Sequence, residues 1–111
     1  RLLDVEPDGT NWNLTEGIIR TRFRKGIYDP PELLKPGEIF KYQIELLPTS
    51  NIFLKGHKIA IHITSSNFPL YDRNPNTGHR QGMDSMIDIA YQTIFHDAAR
   101  PSHITLPIVS S

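Results

Sequence analysis

Cysteine is absent from the 111-residue chain, which excludes disulfides and thiolate metal sites and leaves the redox compartment open. An excess of either charge is missing too, because twelve basic side chains balance twelve acidic ones. A nucleic-acid binder would carry a basic surplus or stripe, so no nucleic-acid partner is expected. No apolar run approaches the roughly 20 residues of a membrane span, and no leader is visible, so no membrane partner is expected either. Localisation stays open, with the cytoplasm as the default guess. Helical periodicity is also lacking: no segment carries a convincing 3.6-residue apolar stripe, although Leu33-Leu34 fit a single turn.

What is present is alternation, punctuated by proline and glycine. Leu2 to Val5 read as a strand, followed by a turn at Pro7-Asp8-Gly9. Gly17 opens Ile18 to Arg24, in which Ile19, Thr21 and Phe23 face one way and Arg20, Arg22 and Arg24 the other. Pro36-Gly37 launches Ile39 to Leu47, the clearest strand, with Phe40, Tyr42, Ile44 and Leu46 on one side. Lys55-Gly56 turns into a strand whose Ile59, Ile61 and Ile63 are expected to point inward. Met86 to His96 and Ile104 to Ile108 complete six alternating stretches. Polar outer faces imply antiparallel pairing, and two sheets must then cover each other's apolar faces. The expected fold is therefore all-β, a sandwich of two antiparallel sheets forming one domain over residues 1–111. Long crossings such as Phe68 to Gly82 favour a Greek-key or jelly-roll path.

Catalytic chemistry finds little support. Seven serines and five histidines occur, but no G-x-S-x-G elbow does, and the fold lacks the strand-to-helix turn such an elbow needs. His57 and His62 sit five apart in what reads as one strand, so they face opposite sides and cannot share an ion. His79, His96 and His103 read as surface histidines. Asp72-x-Asn74-x-Asn76 resembles the start of a calcium loop, because alternate oxygen side chains can converge on a hard cation. Its glycine, Gly78, falls one place late, however, and Met83 stands where a bidentate glutamate belongs. Turn capping by these side chains is the simpler reading, and neither metal nor cofactor is expected. Trp12, Phe68 and Tyr71 read as loop aromatics able to stack on a sugar ring, to plug the ends of the sandwich or to pack on a neighbouring domain. The arginine row fits an edge strand that resists unwanted pairing, with ion pairs to another domain as the alternative. Asn13-Leu14-Thr15 matches a glycosylation sequon, a triplet common by chance.

Taken in order, several blocks carry a resemblance: Asp4-Val5-x-Pro7-Asp8-Gly9, Asn13-Leu14-Thr15-Glu16-Gly17-Ile18-x-Arg20, and Leu34-x-Pro36-Gly37-Glu38. Then come Pro48-Thr49-Ser50-Asn51-x-Phe53-x-Lys55-Gly56-His57, the long Ser65-Ser66-Asn67-Phe68-Pro69-x-Tyr71-Asp72-Arg73-Asn74-Pro75-Asn76-Thr77-Gly78, and Pro101-Ser102-His103-Ile104-x-Leu106-Pro107-Ile108. Together they resemble the C-terminal domain of the X-Pro dipeptidyl-peptidase and cocaine esterase-like serine hydrolases, over nearly the whole chain. Only the segment from Arg80 to Met86 departs from the pattern. The resemblance implies a galactose-binding-like jelly roll packed on an α/β-hydrolase domain, with the catalytic serine, aspartate and histidine in that other domain. No catalytic residue carries over. The abrupt start at Arg1 fits a fragment of a larger hydrolase, with the first jelly-roll strands and the catalytic part upstream.

Two functions follow as expectations. The first is a non-catalytic domain that packs on the hydrolase domain of its own chain and helps shape the substrate cleft. Phe68, Tyr71, Asp72, Arg73 and Asn74 are its candidate interface residues: rigid and capping neighbours hold the loop, while aromatics and a forked cation are offered for docking. The second is a stand-alone carbohydrate-binding module. An exposed sheet edge also leaves a homodimer open.

Overall fold

The computed structural model describes residues 1–80 and 82–109, so Gln81, inside the segment that departs from the family pattern, lies outside them. The backbone gathers into two compact units, Arg1–Arg73 and Asn74–Ser111.

The first unit is built on a three-stranded antiparallel sheet. Strands β1 (Leu2–Val5), β2 (Asn11–Thr15) and β3 (Lys58–Ile61) lie in the order β2-β1-β3. The β1–β2 hairpin forms where a turn was expected. Gly9 N–H donates to the Glu6 carbonyl at 2.9 Å, Thr10 N–H donates to the Asp8 carboxylate at 2.8 Å, and Gly9 takes φ 93°. That left-handed conformation costs glycine least, and the aspartate side chain stands in for a missing backbone acceptor. On the other side, Leu3 pairs with Ala60 and Asp4 with Ile59. Lys55-Gly56 supplies the expected turn into β3, closed by His57 N–H on the Leu54 carbonyl at 3.0 Å.

Central position gives β1 the only buried hydrophobic side chains among the described residues, Leu2 and Leu3. Two polar residues are buried with them, Asp4 and Thr15.

The all-β expectation therefore holds: the described residues contain three strands and one short 3-10 turn. Several individual readings are corrected. Ile18 to Arg24 is not a strand; Thr21–Phe23 forms a 3-10 turn. There Phe23 N–H bonds the Arg20 carbonyl at 2.8 Å. Local i to i+3 bonding wins where no neighbouring strand offers a ladder. Trp12 is not a loop residue but sits in β2, opposite Asp4. Ile59, Ile61 and Ile63 were expected inward, yet about half of each remains exposed. Alternation fixes which side chains share a face; burial also needs a second layer, and these residues lack one.

Ile39 to Leu47 forms no ladder of its own, but its end docks beside β2. Leu47 N–H donates to the Glu16 carbonyl at 3.1 Å, and the Thr15 hydroxyl donates to the Leu47 carbonyl at 2.7 Å. This approach is so close that a Cβ on Gly17 would stand 2.1 Å from the Glu45 carbonyl oxygen. Arg24 fastens the other side of the unit. Its guanidinium donates to the Glu32 carbonyl at 2.6 Å and to the Glu32 carboxylate at 2.7 Å, and lies 4.4 Å above the Phe40 ring. One arginine of the expected edge row is thus an internal clamp.

The second unit has no assigned strand among its described residues, so Met86 to His96 and Ile104 to Ile108 do not pair as read. Among the described residues of this unit one clasp joins separated segments by backbone bonding, in which Asp88 N–H meets the Pro75 carbonyl at 2.8 Å and the Asn76 amide meets the Asp88 carbonyl at 3.0 Å. Nearer its end, Asp97 accepts from the Ala99 and Arg100 N–H groups at 3.0 and 2.9 Å. The Arg100 guanidinium then stacks 4.0 Å from the Phe95 ring centre.

Candidate functional site

Asn67 stands at the start of a turn in the loop that follows β3, and this residue is held from three directions. Its amide oxygen accepts from the Arg1 guanidinium, and its amide nitrogen donates to the Glu16 carboxylate at 3.1 Å. Arg1 Nε reaches the same carboxylate at 3.1 Å. The Asn67 carbonyl accepts from Tyr71 N–H at 3.0 Å. That last bond closes a five-residue turn whose middle is Phe68-Pro69-Leu70, with a cis peptide at Phe68-Pro69. Phe68 and Leu70 stand at the tip, 66% and 63% exposed.

Of the five expected interface residues, Phe68, Tyr71, Asp72 and Arg73 belong to the first unit and Asn74 to the second. Tyr71 is half-buried, and Asp72 and Arg73 are exposed. Asn74 makes the turn that was read for it: its side-chain oxygen accepts from Asn76 N–H at 3.3 Å, and Asn76 takes φ 61°. The Asn74 side-chain oxygen of the calcium-like pattern thus serves the backbone, and the Asn76 side-chain nitrogen donates to the Asp88 carbonyl. Among the described residues, no group of three or more His, Cys, Asp or Glu side chains is close enough to hold a metal ion.

A second polar cluster was not foreseen. Asp4, 6% exposed on the central strand, faces His57 Nδ1 at 2.8 Å and receives the Asn51 amide at 3.2 Å. An ionised carboxylate only accepts, so the His57 ring must carry its proton on Nδ1. A charge in the middle of Leu2-Leu3-Asp4-Val5 was the available signal, because a buried carboxylate needs a partner. Nothing local names that partner, which lies 53 positions along the chain.

The second unit holds another imidazole–carboxylate pair, His79 Nδ1 to Asp84 at 3.0 Å. The Thr77 hydroxyl donates to that carboxylate rather than facing the ring, the wrong order for an activated nucleophile. Thr77 first, and then the Met86 N–H, hold the Asp84 carboxyl below the ordinary aspartate value. A depressed folded value places the stabilisation above the unfolded aspartate range, and it is lost as pH falls through the folded value. Carbon-detected NMR titration is expected to find Asp84 among the lowest-titrating aspartates, and Thr77→Val is expected to raise its midpoint. An unchanged midpoint in that variant would remove the assigned cause.

An open groove of about 570 Å³ lies between Ile18, Ile19, Phe23 and Ile27, with Arg20 and Glu45 on its walls. Its lining contains neither histidine nor serine, so it offers an apolar floor and charged rims but no serine–histidine pair.

Cocaine esterase from Rhodococcus is 45% identical over 112 residues, covering 98% of this chain and 19% of that protein. Two proteins provisionally named serine esterases, from Mycobacterium bovis and Mycobacterium tuberculosis, are 34% identical over 82 residues. That match covers 60% of this chain and 13% of each relative. The chain thus spans about a fifth or less of the length of these relatives. The family described as the X-Pro dipeptidyl-peptidase C-terminal non-catalytic domain matches residues 1–105, and the chain belongs to it.

Proposed function

We propose that this domain docks on the hydrolase domain of its own polypeptide and forms one wall of the substrate cleft there. In this reading, the catalytic groups of a peptide- or ester-cleaving serine hydrolase act in that other domain. Residues 1–111 then form a single jelly roll completed by strands from the rest of the chain.

One observation carries the proposal: Phe68 and Leu70 are held out in water on a loop whose base is fastened by Asn67. An exposed apolar tip on a rigid base loses little freedom when it binds, which favours docking. Many other isoleucines and leucines of the chain are also exposed. Apolar area on that scale marks a surface that a partner covers. Tyr71 and Arg73 add an aromatic and a forked donor beside the tip, and both residue types are enriched at interface centres.

The test is made on the full-length polypeptide. Phe68→Ala is expected to cost about 2 kcal/mol of domain docking, read as a lower midpoint of thermal unfolding and a reduced kcat/KM. Arg73→Ala is expected to act in the same direction. Unaltered unfolding together with unaltered kcat/KM in both variants would end the proposal.

A further inference from the structure

We infer that Arg1, Glu16 and Asn67 form a positioning triad, whose task is to aim the Phe68–Leu70 tip rather than to hold the sheet together. The inference rests on the docking role proposed for that tip.

Three chain segments meet here. Arg1 precedes β1, Glu16 follows β2, and Asn67 opens the loop beyond β3. The Glu16 carboxylate, only 15% exposed, is the shared acceptor, taking Arg1 Nε and the Asn67 amide at 3.1 Å each. Arg1 completes the ring by donating to the Asn67 amide oxygen. Every pair in the triad is therefore bonded, which fixes both the position and the rotation of the Asn67 side chain. Two separate anchors on one amide leave it no freedom to flip.

The fourth contact transmits that fixity. Asn67 also gives its backbone carbonyl to Tyr71 N–H at 3.0 Å, so the residue clamped by the triad is the one that closes the turn around Phe68. The sheet does not depend on the clamp, because the β1–β2 and β1–β3 ladders, continued by the Arg1 and His62 backbones, are made between main-chain groups and not by these side chains. The Glu16 carbonyl meets Leu47 N–H independently of its side chain. Removing the Asn67 amide or the Glu16 carboxylate should therefore free the tip and leave the strands in register.

A double-mutant cycle on the full-length polypeptide tests this, with p-nitrophenyl ester hydrolysis and Xaa-Pro anilide hydrolysis as activity readouts. Hydrogen exchange at the Tyr71 amide is the structural readout. Asn67→Ala is expected to lower kcat/KM roughly tenfold, within the loss of up to about a hundredfold that a misplaced distant contact can cause, and to speed exchange at Tyr71. If Asn67 acts through the tip, Asn67→Ala combined with Phe68→Ala should fall within about twofold of Phe68→Ala alone. Glu16→Ala should behave as Asn67→Ala does, whereas Glu16→Gln keeps an acceptor oxygen and should restore most of the loss. Should Asn67→Ala fail to fold, the cycle of Glu16→Ala with Phe68→Ala decides in its place. Fully additive losses, or a Tyr71 amide whose exchange does not change, overturn the triad while leaving the docking role intact. A Phe68→Ala variant with wild-type unfolding and kcat/KM overturns the triad, and if Arg73→Ala is silent as well the docking role falls with it.

Discussion

Gly17→Ala is expected to destabilise the domain by about 3 kcal/mol, among the larger effects available to a single methyl group. The added carbon would stand 2.1 Å from the Glu45 carbonyl oxygen and 3.0 Å from the Ile44 side chain. A flexible side chain could turn away, but a backbone carbonyl cannot do so alone. Moving Glu45 pulls on Leu47, whose N–H and carbonyl are both bonded to the end of β2, at Glu16 and Thr15. Either the overlap or the loss of those two bonds must be accepted. Gly37→Ala is the control. Its Cβ would meet nothing within 4 Å, so only the positive φ of 82° opposes it, and about 1 kcal/mol is expected. Denaturant titration of the two variants in the full-length polypeptide distinguishes the cases. Equal midpoints would show that the chain at 44–47 does not approach Gly17 as described.

His57→Ala carries the second large effect, about 3 kcal/mol, because it strands a carboxylate. Asp4 lies on the central strand, 6% exposed, and would keep only the Asn51 amide as its side-chain partner. Among the described residues no buried side-chain nitrogen or oxygen now lacks a hydrogen bond, so the variant would create an unmet need where none exists. Asp4→Ala should cost less, since an imidazole relieved of its partner can still be neutral and reach water. The double variant should be more stable than the sum of the single losses implies, by about 1 kcal/mol or more. Strict additivity would mean that the two side chains do not interact.

How much of this was legible beforehand depended on sequence distance. Pro7-Asp8-Gly9 and Lys55-Gly56 turned as read, because glycine's freedom and aspartate's short reach act within three residues. Leu2–Val5 was read as a strand and is one, and of the alternating run read from Lys58 to Thr64 the part Lys58–Ile61 pairs. Ile18 to Arg24 alternates as well, yet it coils into a 3-10 turn. Periodicity states a preference for one face, and a ladder needs a neighbour. Asn11–Thr15 was passed over for the opposite reason: asparagine is a poor strand former, and pairing with β1 overrides that weakness. At the candidate interface, the stiffness of Ser65 to Gly78 was visible in its prolines and capping side chains. Its anchoring was not, since Arg1 and Glu16 reach Asn67 across 66 and 51 positions. The Asp4–His57 contact escaped for the same cause, with only a lone carboxylate among leucines to announce it.

Leu2 and Leu3 are a small interior for a chain with so many isoleucines in water. Whatever surface settles over those isoleucines meets them as a set only when the chain is ordered. By mass action such a surface adds its own affinity to the ordering equilibrium of the strands beneath. Under the proposed docking, shape and attachment are a single thermodynamic quantity, and a substitution at the junction registers as a loss of structure far from it.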